Sequence, residues 1–195
     1  MAAPHRSIAL AALAALAGAG GAAAATHDAP SQAVGDWTVT PSRDGAGCFM
    51  TRTYQRTGGT TLLLGLDVDG ANHLSVLNAN WSIKPKDRLK LNFHLTKANY
   101  PRHFAVGMAS AGQQGFVTSF DVKFPGDFAA STVLLITRDK VTVERLPLDG
   151  SGAAVAALRR CVEGQRKAAG SAGTVRSDDI PLDPFAAARP KKPKS

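Results

Sequence analysis

From Gly35 onward, apolar residues recur at every second position in short runs separated by turn-forming residues, the period of half-buried β-strands. Trp37 and Val39 share a face until Pro41 ends the run. After the turn chemistry of 42–47, Cys48, Met50 and Tyr54 continue a second strand up to Gly58-Gly59. Leu62, Leu64, Leu66 and Val68 alternate in a third strand, closed by Asp69-Gly70, and Leu74 with Val76 mark a fourth. The cleanest alternation sets Leu89, Leu91, Phe93 and Leu95 against Lys90, Asn92, His94 and Thr96. One face of that sheet therefore meets water, which favours antiparallel pairing. Phe104, Val106 and Met108 predict a sixth strand with these three side chains on the core side, and 116–122 a seventh. The segments 133–137 and 141–148 predict a hairpin across Arg138-Asp139-Lys140, and 125–130 reads as one helical turn.

After Asp149-Gly150 the period changes. Ala154, Val155, Leu158, Cys161 and Val162 fall at helical spacing, predicting a helix over 153–167 with Ser151 as its N-cap. The fold expected is mostly β: an antiparallel β-sandwich or small barrel of about eight to nine strands, with one C-terminal α-helix packed on it.

The flanks differ in character from this domain. Residues 1–25 combine a short basic start (His5, Arg6), an apolar stretch of about ten residues and a small-residue run with Ala23 and Ala25. That is the anatomy of a secretory signal peptide, too short to span a bilayer of roughly 30 Å, with an Ala-rich leader as the alternative. Residues 26–34 form an N-terminal arm, 35–167 the β domain with its helix, and 168–195 a disordered, basic, Pro-rich tail. No later run is long and apolar enough for a transmembrane helix. The expected location is periplasmic or secreted.

Export bears on the two cysteines. Cys48 and Cys161 lie 113 positions apart with no C-x-x-C spacing. In an oxidising compartment a structural disulfide is the simplest reading; the rival is a reactive thiol, for which neither cysteine has a nearby His or Lys in sequence.

Composition narrows the chemistry. Lys and Arg number 23 against 15 Asp and Glu, a formal +8, and residues 162–195 hold 7 basic and 4 acidic residues. Lys84, Lys86, Arg88 and Lys90 follow Trp81 closely, and Lys191, Lys192 and Lys194 end the tail. These eight residues are the candidate contacts to a partner or anion. The bland alternatives are a solvated basic face and an aromatic that closes the core.

Catalytic patterns are weak. His73, His94 and His103 would have to converge to bind a metal, and surface histidines are the simpler reading. Asp67–Asn72 lacks the glycine position and terminal Glu of an EF-hand loop. Gly150-Ser151-Gly152 lacks the spacing of a nucleophile elbow. Asp178 and Asp179 fall in the tail, where no fixed separation is maintained. No phosphate-cradling loop or nucleic-acid motif is present, and no catalytic residue, cofactor or metal is assigned.

The early Trp37-Thr38-Val39 and the passage from Leu146-Pro147-Leu148-Asp149-Gly150-Ser151 into an Ala-rich helix with Leu158 resemble the invasion-associated locus B proteins. These are small exported β-domain proteins of bacterial envelopes. The resemblance implies an envelope location and carries over no catalytic residue. The expected function is a non-enzymatic binding or structural module of the envelope, whose partner is a protein or an anionic envelope polymer rather than nucleic acid. Two alternatives stand beside it. One is a secreted effector or inhibitor acting through the loops near Arg43-Asp44 and 109–115; the other is a hydrolase with a site assembled from distant residues.

Overall fold

A computed structural model describes residues 30–171. The expected signal peptide and most of the basic tail, including Lys191, Lys192 and Lys194, lie outside the described residues. Ten strands and two helices follow in order: β1 (Gln32–Val34), β2 (Trp37–Pro41), β3 (Gly47–Tyr54), β4 (Thr60–Asp67), β5 (Asn72–Asn78), β6 (Arg88–Leu95), β7 (Asn99–Ser110), β8 (Gln113–Thr118), α1 (Phe124–Ala129), β9 (Val133–Arg138), β10 (Val141–Pro147) and α2 (Ser151–Ser171). Part of the expected N-terminal arm is thus an edge strand, β1, paired with β2.

All ten strands belong to one antiparallel sheet in the order β1-β2-β3-β4-β5-β8-β7-β6-β9-β10. The chain meanders from β1 to β5, steps over two places to β6, and returns through β7 to pair β8 with β5. It then crosses by way of α1 to β9, on the far side of β6. The sheet ends at β1 and β10, so it is open. This corrects the expected small barrel, and the expected sandwich finds no second sheet among the described residues. Strong curl makes one sheet sufficient. Tyr54, at the end of β3, donates its hydroxyl to the Pro147 carbonyl of β10 at 2.8 Å. Thr60 of β4 donates to the Glu144 carboxylate at 2.8 Å, and Arg56 ion-pairs with the same carboxylate. Side chains therefore bridge strands that stand far apart in the ladder.

The concave side holds the core. Trp37, Met50, Leu62, Leu64, Leu74 and Val76 from one half meet Phe93, Phe116, Leu134, Ile136 and Leu146 from the other. Ala154, Val155, Ala157, Leu158 and Val162 of α2 are buried there, and the small alanines let the helix approach β2 and β3 closely. The helix is longer than the sequence period predicts. Ser151 is not its N-cap: it is the first helical residue, and its hydroxyl donates to the Phe128 carbonyl of α1 at 3.3 Å. Two bonds tie the other half of α2 to the sheet. Cys161 forms a disulfide with Cys48, at a Cα–Cα distance of 6.1 Å, and Arg166 donates to the Val68 carbonyl at 2.6 Å.

The structure reverses the expected facing of β7. Phe104 and Val106 lie on the convex, solvent side at 48% and 37% exposure, while Ala105 and Gly107 are buried. A bulge in the β6–β7 pairing between Leu91 and Phe93, with Arg102 at φ 49°, sets this register. Crowding is the physical reason. A Cβ on Gly107 would collide with the Lys84 carbonyl oxygen, so only small side chains fit on the concave side there. His103 shares the concave side and is half-buried, stacked on Phe120 with ring centroids 4.1 Å apart. Phe120 in turn stacks on Phe124 at 3.8 Å.

Both tyrosines of the chain ionise late. Burial, opposed by the nearby Arg52 and Arg56, pushes Tyr54 up to about 12. Burial and a 2.7 Å hydrogen bond to Asp127 push Tyr100 up as well. A phenol whose folded pKa is raised holds its proton after the unfolded chain has lost it, so stability is present below pH ~10 and falls as pH rises toward 12. Ultraviolet absorbance should register almost no phenolate in the native protein at pH ~10.5, while the chain in denaturant is largely ionised. Equal ionisation of the two forms would contradict the burial assigned here.

Candidate functional site

The loop between β5 and β6 carries Trp81 and is held by backbone contacts from both sides. Trp81 N–H donates to the Asn78 carbonyl at 3.3 Å, Lys86 N–H to the Gly107 carbonyl at 2.9 Å, and Gly107 N–H to the Asp87 carbonyl at 2.7 Å. The Asp87 carboxylate accepts from Lys84 N–H at 2.9 Å. The glycine that reverses β7 is therefore also the one that seats this loop. Trp81 is half-buried and stacks on Phe116, with centroids 6.0 Å apart and planes within 5°. It both caps the core and lines an open cleft of about 510 Å³. The apolar walls come from Trp81, Ile83, Leu89, Leu91, Phe116 and the start of β10, and Asn80, Ser82, Arg138, Asp139 and Thr142 supply polar atoms.

Strand alternation separates what the sequence places side by side. Leu89 and Leu91 of β6 line the cleft, whereas Arg88 and Lys90 point to the convex side, where they pair across the ladder with Val106 and Phe104. The Arg88 guanidinium sits 5.6 Å from the Phe104 ring centroid. Lys84 and Lys86 are exposed in the loop before β6. None of these four cations forms an ion pair among the described residues. Trp81 and the β6 cations Arg88 and Lys90 thus lie on two surfaces, one on each side of β6, while Lys84 and Lys86 sit in the loop that carries Trp81. Phe104 and Val106, read from the sequence as core, instead supply apolar area to the cationic face.

The two loops considered for an inhibitor are tight. Between β7 and β8 only Ala111 and Gly112 intervene, both with positive φ (50° and 78°), as a two-residue hairpin turn requires. In the loop near Arg43, Asp44 accepts from Ala46 N–H at 3.1 Å. That bond and one from Ser42 hold its carboxyl below the usual range.

One arrangement escapes sequence reading altogether. His73 Nδ1 lies 2.9 Å from Ser119 Oγ and its Nε2 lies 3.1 Å from Asp67 Oδ2, a serine–histidine–aspartate relay drawn from β4, β5 and the segment after β8. The three residues are dispersed over 52 positions of the chain and fit no contiguous motif. The relay lies on the open sheet surface: the His73 side chain is 44% exposed, and none of the three lines the cleft at Trp81. His103 donates its Nε2–H to the Ser119 carbonyl at 2.7 Å, and His94 Nδ1 lies 3.0 Å from Asn99 Oδ1. Among the described residues no group of three or more His, Cys, Asp or Glu side chains could hold a metal ion.

No protein-family profile matches the chain, and no curated protein matches it. Among solved structures, the chain is similar to the crystal structure of invasion associated protein B from Bartonella henselae, at 14% identity and a TM-score of 0.48. The alignment covers 67% of this chain and 99% of that one. The likeness is weak and partial, and it falls on the group of proteins that the sequence itself resembles. No described helix is long and apolar enough to cross a membrane.

Proposed function

We propose that this protein is an exported, non-enzymatic binding module of the cell envelope, periplasmic or secreted, that holds an anionic envelope polymer against the convex face of β6 and β7. The observation that carries this reading is the juxtaposition of Arg88 and Lys90, without ion-pair partners among the described residues, with exposed Phe104 and Val106 on one sheet face. Such cations are attracted to a polyanion over a Debye length of roughly 8–10 Å, and the apolar area between them adds contact that salt does not screen. Lys84 and Lys86 extend the positive field beyond the start of β6. The disulfide is compatible with an extracytoplasmic location.

Dextran sulfate is a suitable probe polyanion. An Arg88→Gln/Lys90→Gln variant should bind it several-fold more weakly than the parent protein at low salt, and high salt should remove most of the difference. Both side chains are exposed, so the thermal midpoint should stay unchanged. Binding that is absent, or indifferent to both salt and substitution, would refute the reading.

A second reading, a hydrolase assembled from distant residues, is favoured only by the Asp67–His73–Ser119 relay, whose bonding order is that of a nucleophile, its base and an orienting carboxylate. On this reading a fluorophosphonate should label Ser119, and His73→Ala should abolish the labelling. An unlabelled Ser119 would dispose of it.

A further inference from the structure

The cleft at Trp81 lies on the opposite side of β6 from the face invoked above and calls for a ligand of its own. Its walls combine an aromatic pair, Trp81 on Phe116, with the aliphatic Leu89 and Leu91, and its volume of about 510 Å³ lies within the range of roughly 300–1,000 Å³ of small-molecule sites. Core closure does not demand such an opening, because Trp81 remains half-exposed while Phe116 beneath it is fully buried. The mouth is apolar too: Val141 is 68% exposed at the start of β10.

The mouth also carries charge. Arg138 ends β9 at the rim and forms no ion pair among the described residues. A guanidinium beside an apolar slot suits a ligand whose tail is hydrocarbon and whose head is a carboxylate or similar anion, which it can hold through two parallel hydrogen bonds. Asp139 places a carboxylate at the same rim, so an anionic head is held only where it sits nearer Arg138 than Asp139. Asn80, Ser82 and Thr142 add neutral donors and acceptors around the head.

We propose that the cleft bounded by Trp81, Leu89, Leu91, Phe116 and Val143 binds a single-chain amphiphile with a monoanionic head, the chain lying against Trp81 and the head at Arg138. The Arg138 guanidinium supplies the charge complementarity for this head, and the trimethylammonium comparator tests whether Asp139 holds a cation instead. The site stands independently of the polyanion reading, because Arg88 and Lys90 face the other way.

Dodecanoate tests it, with dodecan-1-ol and dodecyltrimethylammonium as comparators below their aggregation limits. The full chain should bind dodecanoate saturably in equilibrium dialysis, with a change in tryptophan emission that disappears in Trp81→Phe while dialysis still registers binding. Arg138→Gln should weaken dodecanoate on the order of tenfold and leave dodecan-1-ol unchanged, the size of one charge-assisted interaction. Val141→Glu should weaken both, since it places a carboxylate in the mouth, and its thermal midpoint, together with that of Arg138→Gln, confirms the fold. Failure of saturable binding, equal binding of the trimethylammonium, or an unchanged Arg138→Gln would overturn the proposal. So would binding that appears only after 172–195 is removed, or only as a dimer dissociates, because the cleft would then belong to the chain's own tail or to a second copy.

Discussion

A Cys48→Ala/Cys161→Ala variant should lose on the order of 4–5 kcal/mol of stability, the value that chain entropy assigns to a loop of this length. The bond closes a loop spanning 113 positions, so in the unfolded chain it removes nearly all the freedom of β3 relative to α2. Its position adds a local consequence. Beyond Cys161, Val162 is the only buried residue of the helix among those whose burial is described, and Arg166 ties this part of α2 to the Val68 carbonyl. The reduced helix should therefore fray from Cys161 onward and become the first site of proteolysis within 30–167, while its N-terminal half, with Ala154, Val155 and Leu158 buried, stays docked. Urea unfolding with and without reductant measures the first effect, and mapping of the earliest cleavage measures the second. A shift below about 1 kcal/mol would mean that the unfolded chain is already restrained between these points.

Trp37→Ala should cost about 3–5 kcal/mol, the range for removing a fully buried large aromatic. Trp37 is completely buried and occupies the junction of three elements. Its indole N–H donates to the Asp149 carbonyl at 2.8 Å, just before α2. Its ring meets Phe128 of α1 edge-on at 6.0 Å, and the Arg52 guanidinium lies 5.7 Å from its centroid. Trp37→Phe separates the contributions. It keeps most of the apolar area and removes one hydrogen bond, so about 1 kcal/mol should be lost. The Asp149 carbonyl keeps a second donor in Arg52, at 3.1 Å, which limits that loss. A Phe variant as unstable as the Ala variant would show that the hydrogen bond, rather than packing, joins β2 to the start of α2.

Trp37, Leu62, Leu64, Phe93 and Leu95 were legible as core residues from period-two alternation alone, because a strand with one wet face has to repeat at that spacing. The same rule failed at β7. There both parities are permissible on composition, one carrying Phe104, Val106 and Met108 and the other Ala105 and Gly107. Hydrophobicity favours the first parity and volume the second. The concave side next to the Lys84 carbonyl has no room for a Cβ, so volume decided. Strand count and closure were similarly out of reach, since alternation says which side a residue faces and nothing about which strand lies beside it. The step from β5 to β6 and the return of β8 to β5 rest on long-range pairing.

For the candidate sites the division runs the same way. Trp81, Arg88 and Lys90 were visible as residue types, yet their proximity in sequence joined two surfaces that β6 keeps apart by pointing Leu89 and Leu91 one way and Arg88 and Lys90 the other. The relay of Asp67, His73 and Ser119 left no trace in sequence, because sheet register between β4 and β5 and the course of the chain beyond β8 bring it together. Sequence by itself determined the mostly β class, the terminal helix and the pairing of the chain's two cysteines, each of which follows from local period or from count. Tertiary structure alone decided the open curled sheet, the facing of β7 and the cleft, because each depends on how much space one strand leaves for another.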